Sequence, residues 1–233
     1  MKALYTPLRH FFALFFPNLC LACEREPPVP GEILCSTCNA TMPEANYHLQ
    51  KENPMTEHFW GRVPIRAAAA MYVFTKESPV QNLLHNFKYQ GKREIGEVLG
   101  RRFGRALAQS PLFASVDVII PVPLHRKKEI ARGFNQSEIF ARGLEMTMKR
   151  PLLKNGLVRT VNTSTQTKMS KMERLKNVEN VFAVDNPNAL RNCHVLIVDD
   201  VLTTGSTLEA CAQKVLEVPG TSVSFATIAI ASH

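Results

Sequence analysis

Apolar residues follow one another in short unbroken runs at several places along the chain. Runs of this kind, bounded by polar or turn residues, are typical of strands that are buried on both faces of a parallel sheet. The runs predict strands within Val63–Phe74, Val118–Ile120, Val195–Val198 and Ser222–Ile230.

Between these runs, apolar residues recur with the three- and four-residue spacing of amphipathic helices. Ser78 and Pro79 provide a cap and a first-turn proline for one helix. A second helix is predicted across Ile95–Leu107, and a third after Asn135, which is a candidate N-cap. The predicted inner faces carry Val80, Leu83, Leu84, Phe87, Ile139, Phe140 and Leu144. Strands that alternate with helices predict an α/β fold with a mostly parallel sheet flanked by helices.

The stretch Val195–Leu208 carries the most informative chemistry of the sequence. Its apolar run is followed by Asp199 and Asp200, and then by a hydroxyl-rich loop at Thr203–Thr207 that leads into a helix. A helix N-terminus offers unpaired N–H groups and the positive end of a dipole, so the loop is predicted to hold a phosphate. Adjacent carboxylates would repel that phosphate, but they can accept hydrogen bonds from sugar hydroxyls. We therefore expect a ribose 5-phosphate here; the alternative is a plain turn with an acidic helix cap.

The acid pair followed by T-T-G-S-T resembles the phosphoribosyl pyrophosphate (PRPP) motif of type I phosphoribosyltransferases. The resemblance implies that the acid pair holds the ribose hydroxyls and the loop holds the 5-phosphate. It also implies that Mg²⁺ binds together with PRPP. The residues that it assigns to PRPP are Asp199, Asp200, Val201, Thr203, Thr204, Gly205, Ser206 and Thr207.

A basic segment follows the predicted strand Val118–Ile120. Pro121 and Pro123 are expected to end that strand and to stiffen the loop beyond it. His125 then precedes three consecutive cations, Arg126-Lys127-Lys128. In the type I fold this loop faces the pyrophosphate of PRPP, so the cations are candidates for neutralising it. The alternative is a solvated basic loop.

The combination of P-V-P-L-H with R-G-F-N-Q restricts the resemblance to one branch of proteins with the type I fold. Together with T-S-T-Q at residues 163–166 and R-L-K-N-V at residues 174–178, it is similar to the ComF/GntX branch of phosphoribosyltransferase-like proteins over nearly the entire chain. Ala131 and Val161 stand where that branch often has arginines, which lowers the positive charge near the expected pyrophosphate. The polar segment Asn162–Met172 corresponds to the lid of type I enzymes, a mobile hairpin being the alternative. The candidates for the pyrophosphate and the lid are His125, Arg126, Arg132, Lys168, Lys171 and Arg174.

Two C-x-x-C pairs lie near the start of the chain, separated by the proline-rich stretch Glu24–Leu34. Four thiolates presented by two tight turns suit a closed, tetrahedral, structural zinc site with no open position for catalysis. The alternatives are disulfides, which a reducing cytoplasm disfavours, and a redox pair, which would not need to be duplicated. The predicted Zn²⁺ ligands are Cys20, Cys23, Cys35 and Cys38. The ComF branch also carries such a module at its N-terminus.

Length and composition are ordinary for a globular protein, with 233 residues, 45% hydrophobic and 21% charged. We expect residues 1–60 to form an N-terminal helix, the zinc module and a connector, and residues 61–233 to form the phosphoribosyltransferase-like domain. The aromatic segment His10–Phe16 resembles a signal peptide, but no small-residue cleavage site follows it. It is also far shorter than the roughly 20 residues that span a bilayer. We expect a cytoplasmic protein without a membrane span.

Two functions agree with these features. The first is an enzyme in which an acceptor displaces pyrophosphate from PRPP, with catalysis by positioning and electrostatics. The second is a non-catalytic PRPP-site scaffold or sensor that assists the handling of single-stranded DNA. The ComF resemblance implies a role in DNA uptake during natural competence, with competence DNA-processing proteins as partners. The net charge of +8 is compatible with anionic partners.

Overall fold

The structure of this chain is a computed structural model, and it describes residues 18–160 and 181–232. The aromatic segment His10–Phe16, the lid Asn162–Met172 with Lys168 and Lys171, and the cation Arg174 lie outside the described residues. Among the described residues, no helix is long and apolar enough to cross a membrane.

Strands and helices alternate along most of the described chain. The strands are β1 (Ala68–Phe74), β2 (Val118–Pro121), β3 (Leu157–Arg159), β4 (Phe182–Val184), β5 (His194–Leu202) and β6 (Ser222–Ala231). The helices are α1 (Ser36–Thr41), α2 (Pro54–Glu57), α3 (Pro79–Tyr89), α4 (Arg93–Gln109), α5 (Arg126–Arg132), α6 (Gln136–Met148) and α7 (Ser206–Leu216). Short 3-10 turns lie at Tyr47–Leu49 and Pro187–Leu190.

The main sheet has the strand order β1-β6-β5-β2, and all of its neighbouring strands are parallel. Strands β3 and β4 form a separate antiparallel pair. The predicted α/β architecture with a mostly parallel sheet is thus confirmed. Because the four strands of the main sheet run in one direction, their carboxyl ends meet at one edge, where α/β folds bind ligands.

Strand β5 extends further than the sequence pattern predicts. We expected the strand to stop at the acid pair, but it continues to Leu202. The reason is its pairing with β6, because Asp199 lies opposite Thr227 and Val201 lies opposite Ala229. The acid pair therefore belongs to a strand that is fixed by hydrogen bonds, and the loop that follows it is short.

Both predicted helix caps are present. The side chain of Ser78 accepts a hydrogen bond from the backbone N–H of Gln81, and that of Asn135 accepts one from the N–H of Ser137. Asn135 Nδ2 also donates to the carbonyl oxygen of Val122 at 3.0 Å. This second bond ties the start of α6 to the loop after β2, at the carboxyl edge of the sheet.

Helices α4 and α6 pack with their backbones unusually close. A Cβ added to Gly100 would lie 2.3 Å from the carbonyl oxygen of Phe140, and one added to Gly143 would lie 2.6 Å from that of Glu97. Only glycine permits such an approach. The contact fixes α6 against the body of the protein, and with it the position of the α6 N-terminus.

Two segments that the sequence analysis treats as irregular contain helices. The basic residues after His125 lie on α5 and not in a loop, because His125 accepts a bond from the N–H of Lys127 and so caps a helix. The connector before β1 contains α2, where Asn53 and Thr56 form a reciprocal capping box. Asn53 is buried, and its Nδ2 donates to the carbonyl oxygen of Ala68 at 3.1 Å. The connector is therefore fastened to the first strand.

The cysteine module packs on helix α3. Leu34 and Cys35 belong to the same apolar cluster as Leu83 and Phe87 of that helix. Asn86, also on α3, donates from Nδ2 to the carbonyl oxygen of Leu21 at 3.0 Å. The module and the helix are thus joined by both apolar and polar contacts.

Candidate functional site

A cavity of about 620 Å³ opens at the carboxyl edge of the main sheet. Its walls come from the ends of β1, β2 and β5 and from helices α3, α5 and α6. Its charged lining consists of the acidic Asp199 and Asp200 and the basic Lys88, Lys128, Arg132 and Arg159. Among the described residues, the acid pair thus faces a cavity in which cations outnumber carboxylates.

Asp199 is held from two directions. Its Oδ1 accepts a hydrogen bond from Ser137 Oγ at 2.8 Å and another from the backbone N–H of Asp200 at 2.8 Å. Burial and the neighbouring charge of Asp200 raise the pKa of Asp199 to about 7, although these hydrogen bonds and Lys88 act against the rise. Near neutral pH this carboxyl therefore exists in both its protonated and its ionised form.

Asp200 is paired with a cation from another element. Its Oδ2 lies 3.0 Å from Lys88 Nζ on α3, and both side chains are mostly shielded from solvent. The two carboxyls of the pair thus have different partners: a hydroxyl for Asp199 and an ammonium for Asp200.

The hydroxyl-rich segment wraps around the N-terminus of α7. Gly205 is the N-cap with a φ of 73°, and none of the described side chains caps the helix there, so the first N–H groups remain available to a ligand. A small pocket of about 30 Å³ lies among Asp199, Val201, Leu202, Thr203, Thr204, Gly205, Thr207 and Leu208. Thr203 and Thr207 line both this pocket and the larger cavity. The segment therefore forms a cradle that is continuous with the acid pair.

The cradle is supported from behind by the turn after α2. Arg62 donates to the carbonyl oxygen of Thr204 at 3.1 Å and forms an ion pair with Glu209 of α7. A Cβ on Gly205 would lie 2.9 Å from His58 Cδ2. Inside the cradle, Thr204 Oγ1 and Ser206 Oγ lie 3.2 Å apart. The backbone of the cradle is thus held by residues far away in the sequence.

The basic candidates differ in where the structure places them. His125 and Arg132 line the large cavity, whereas Arg126 is exposed on α5 and is not among the lining residues. Lys128, two positions further along α5, lines the cavity instead. Since the segment is helical, adjacent cations point in different directions, which a loop prediction could not anticipate.

Ser137 and Gln136 are site residues that the sequence analysis did not identify. Both are buried at the start of α6 and line the cavity. Arg132, which does belong to the predicted set, lies with its guanidinium 5.4 Å from the centre of the Tyr89 ring. The sequence gives two signals for this corner: the Asn135 cap, which places the next residues at a helix N-terminus, and the motif R-G-F-N-Q, which contains Arg132 and Gln136.

The four predicted zinc ligands converge. The Sγ atoms of Cys20, Cys23, Cys35 and Cys38 all lie within 4.8 Å of one another, and those of Cys23 and Cys35 are 3.8 Å apart. Tetrahedral ligands with Zn–S bonds of about 2.3 Å are separated by about 3.8 Å, so the cluster has the dimensions of a zinc site. Burial and the neighbouring thiols raise the pKa of Cys38, a cost that a bound cation offsets. The cluster therefore fits structural zinc.

Comparisons with known proteins agree with this geometry. Residues 133–233 match the family model described as phosphoribosyl transferase domain. DNA utilization protein YhgH of Shigella flexneri is 30% identical over 208 residues, which cover 85% of this chain and 84% of the relative. Competence protein ComFC of Bacillus subtilis is 28% identical over 202 residues, which cover 81% of this chain and 80% of the relative.

A further relative, competence protein F of Haemophilus influenzae, is 28% identical over 82% of this chain and 81% of its own length. Among solved structures, the glutamine PRPP amidotransferase of B. subtilis matches 62% of this chain and 30% of that chain with a TM-score of 0.44 and 18% identity. The match to YhgH covers most of both proteins. The chain therefore belongs to the ComF family of proteins with a phosphoribosyltransferase domain.

Proposed function

We propose that this chain binds PRPP together with Mg²⁺ at the carboxyl edge of the main sheet and transfers its phosphoribosyl group to an acceptor. The observation that carries the proposal is the continuity of the two pockets. Asp199 lines both the cradle at the α7 N-terminus and the larger cavity with its basic rim. PRPP has the matching order of groups: a phosphate, a ribose with free hydroxyls, and a pyrophosphate.

Each part of the site has a role in this proposal. The cradle at Thr203–Thr207 binds the 5-phosphate through backbone N–H groups and hydroxyls. The carboxyls of Asp199 and Asp200 accept hydrogen bonds from the ribose hydroxyls. The basic rim, with Lys128 and Arg132, neutralises the pyrophosphate. Mg²⁺, whose preferred ligands are carboxylate and phosphate oxygens, supplies further charge neutralisation when it is bound with PRPP.

The transfer itself needs positioning more than a reactive side chain. A nucleophilic atom of the acceptor forms a bond to C1 of the ribose while the bond from C1 to the pyrophosphate oxygen breaks. Pyrophosphate leaves with the bonding electrons. The nearby carboxylates of the acid pair stabilise the positive charge that develops on the ribose, and the cations stabilise the leaving group.

Calorimetric titration of PRPP with Mg²⁺ tests the binding step. Asp200→Ala and Thr204→Ala each remove hydrogen bonds to a charged or hydroxyl-rich ligand. We expect each to weaken binding by about tenfold to a hundredfold without unfolding the protein. Asp185→Ala is the matched control, because Asp185 is an exposed carboxylate outside the cavity lining. Absence of binding by the wild type, or equal affinity in all four proteins, would contradict the proposal.

A pyrophosphate-release assay then separates an enzyme from a sensor. PRPP, Mg²⁺ and the wild-type protein are combined with bases, amines or single-stranded DNA as acceptors. Pyrophosphate release that depends on one acceptor supports the transferase. Binding of PRPP without release, whatever the acceptor, would favour the alternative of a non-catalytic scaffold.

A second candidate function, the binding of single-stranded DNA, is favoured by a groove beside the cradle. The groove has a volume of about 490 Å³ and is lined by Trp60 together with the cations Lys51, Arg62 and Arg66 and the carboxylate of Glu52. Trp60 is 62% exposed, and it is the only tryptophan in the chain. An exposed indole among cations suits stacked bases and a phosphate backbone. The relatives' names, DNA utilization protein and competence protein, point the same way.

The single tryptophan makes this second candidate directly measurable. Titration with a short thymidine oligonucleotide should quench the fluorescence of Trp60. Raising the salt concentration should weaken the binding, because cations contact phosphates. By anisotropy of a labelled oligonucleotide, Trp60→Ala should bind more weakly than the wild type, whereas Tyr89→Ala, another exposed aromatic outside the groove, should not. If the oligonucleotide does not quench the fluorescence of Trp60 at low salt, the groove is not the DNA site.

A further inference from the structure

The side-chain amide of Gln136 is a buried group with an unused donor. The side chain is only 1% exposed, and Nε2 has no hydrogen-bond partner among the described residues. Its Oε1 accepts a bond from Arg132 at 2.8 Å. That bond fixes the orientation of the amide, because the flipped amide would turn two donors towards each other. Buried donors are rarely left without an acceptor in folded proteins, so the position of Nε2 needs an explanation.

The surroundings of Gln136 point to a ligand. Gln136 lines the large cavity and is the first residue of the 13-residue helix α6. Ser137, the next residue, donates to Asp199 at 2.8 Å, so the amide lies immediately beside the contact with the acid pair. Arg132 also lines the cavity and is held over the ring of Tyr89. A guanidinium, an unpaired amide N–H and a helix N-terminus, which are all donors, thus lie together on the side of the cavity that adjoins the acid pair.

A corner of donors selects an oxyanion as its ligand. A nucleobase or an amine would bring donors of its own and leave some of these groups unpaired, whereas phosphoryl oxygens accept only. The first phosphate of a PRPP-like ligand already has a place at the α7 N-terminus, beyond the acid pair. The oxyanion at Gln136 is therefore a second phosphoryl group, separated from the first by the ribose.

We infer that Gln136 Nε2 donates to the pyrophosphate of PRPP and thereby makes the site prefer PRPP over ribose 5-phosphate. The inference rests on the proposed function, and it adds a specificity-determining residue from α6. Arg132 has two roles in it, since it contributes charge and also fixes the orientation of the amide through the bond to Oε1. The donor becomes paired only when the pyrophosphorylated ligand is bound.

The test compares two ligands across three proteins. PRPP and ribose 5-phosphate, each with Mg²⁺, are titrated into the wild type, Gln136→Leu and Ser137→Ala. Leucine has a similar size but no donor, so Gln136→Leu should lose about tenfold to a hundredfold in PRPP affinity and keep its affinity for ribose 5-phosphate. Ser137→Ala is the matched control from the adjacent residue. It loosens Asp199, which serves the ribose of both ligands, and should weaken both.

Stability measurements separate this role from a structural one. Gln136→Leu removes an unpaired buried donor, and it also removes the acceptor of Arg132, whose partly exposed guanidinium can bond to water instead. The ligand-free variant should therefore melt no lower than the wild type. Gln136→Glu keeps the shape but replaces the donor by a negative charge, and it should lose more PRPP affinity than the leucine variant.

The outcomes distinguish the two proposals. If the wild type binds neither ligand, the proposed function fails and the inference fails with it. If the wild type binds both but Gln136→Leu leaves PRPP affinity unchanged, or lowers both affinities equally, the proposed function stands and the role of Gln136 is overturned. Selective loss of PRPP affinity supports both.

Discussion

Lys88 Nζ lies 3.0 Å from Asp200 Oδ2, and this ion pair joins helix α3 to the acid pair on β5. The same helix carries Asn86, which donates to the carbonyl oxygen of Leu21 and to Glu24 Oε1 in the cysteine module. One helix thus contacts the cysteine module with some of its side chains and the ligand cavity with others. Helix α3 therefore lies in contact with both halves of the chain.

Replacing Lys88 should weaken the binding of PRPP. In Lys88→Met the acid pair loses the cation that offsets its repulsion of the ligand's phosphates, and we expect about tenfold lower affinity. Calorimetric titration with PRPP and Mg²⁺ measures the effect. Lys92→Met is the control, since Lys92 is exposed at the start of α4 and does not line the cavity. Equal losses in both variants would show that only net charge matters.

Loss of zinc should unfold the cysteine module and disturb the site through α3. A module of this size has too little core to fold without its metal, so Cys35→Ser should lose zinc while the main sheet stays folded. Elemental analysis should find one zinc per chain in the wild type and in Cys193→Ser, whose thiol lies outside the cluster. Hydrogen exchange should become faster in α3 of Cys35→Ser but not in β5. Wild-type protein free of zinc after purification under reducing conditions would refute the site.

The stability of the ligand-free protein should carry a pH dependence that is due to Asp199. Its folded pKa of about 7 lies above its ordinary value of 3.8, so between these values the folded state holds a proton that the unfolded state has lost. The contribution is therefore fully present below about pH 4 and is lost as the pH rises to about 7, with a slope of at most about 1.4 kcal/mol per pH unit. Asp200 and Lys88 face this carboxyl directly, and Arg159 lies across the cavity.

Urea denaturation at pH 5, 6, 7 and 8 measures this effect when the wild type is compared with Asp199→Asn. The free energy of unfolding of the wild type should fall relative to that of the variant up to about pH 7 and then run parallel to it. Parallel curves from pH 5 onwards would mean that Asp199 is already ionised at pH 5.

Gly205→Ala should damage the cradle more than a similar change elsewhere. The left-handed backbone costs a non-glycine residue about 1–2 kcal/mol, and here the added Cβ would also lie 2.9 Å from His58 and 3.1 Å from Phe59. Gly91→Ala is a matched control, because Gly91 has a φ of 66° and no atom of the described residues lies within 4 Å of the added Cβ. Thermal melting and PRPP titration should show a larger loss for Gly205→Ala in both quantities. Equal losses in Gly205→Ala and Gly91→Ala would mean that the left-handed backbone alone, and not the contacts of the added Cβ, causes the effect.

Much of the fold and of the site depends on residues that are close together in the sequence, and these features could be predicted from it. The apolar run of β5, the acid pair, the hydroxyl loop and the following helix are contiguous in sequence, and their side chains act within one strand-loop-helix unit. The two C-x-x-C pairs could be predicted for the same reason, because each pair places two thiols in one turn and the four thiols then converge. Composition and local propensity are sufficient to predict features that lie within one strand-loop-helix unit or one turn.

What only the tertiary structure decided is which distant residues meet the acid pair. Ser137 is 62 positions from Asp199 in sequence, and Lys88 reaches Asp200 from a different helix. No periodic pattern marks either residue, since their positions follow from the packing of α3 and α6 against the sheet. The length of β5 was also decided by the tertiary structure, because pairing with β6 extends this strand through the acid pair. The unpaired donor of Gln136 likewise exists only because the fold buries it. Hydrogen bonds and burial between elements are set by the whole chain, so the sequence determined the chemistry of the loop and the fold determined what surrounds it.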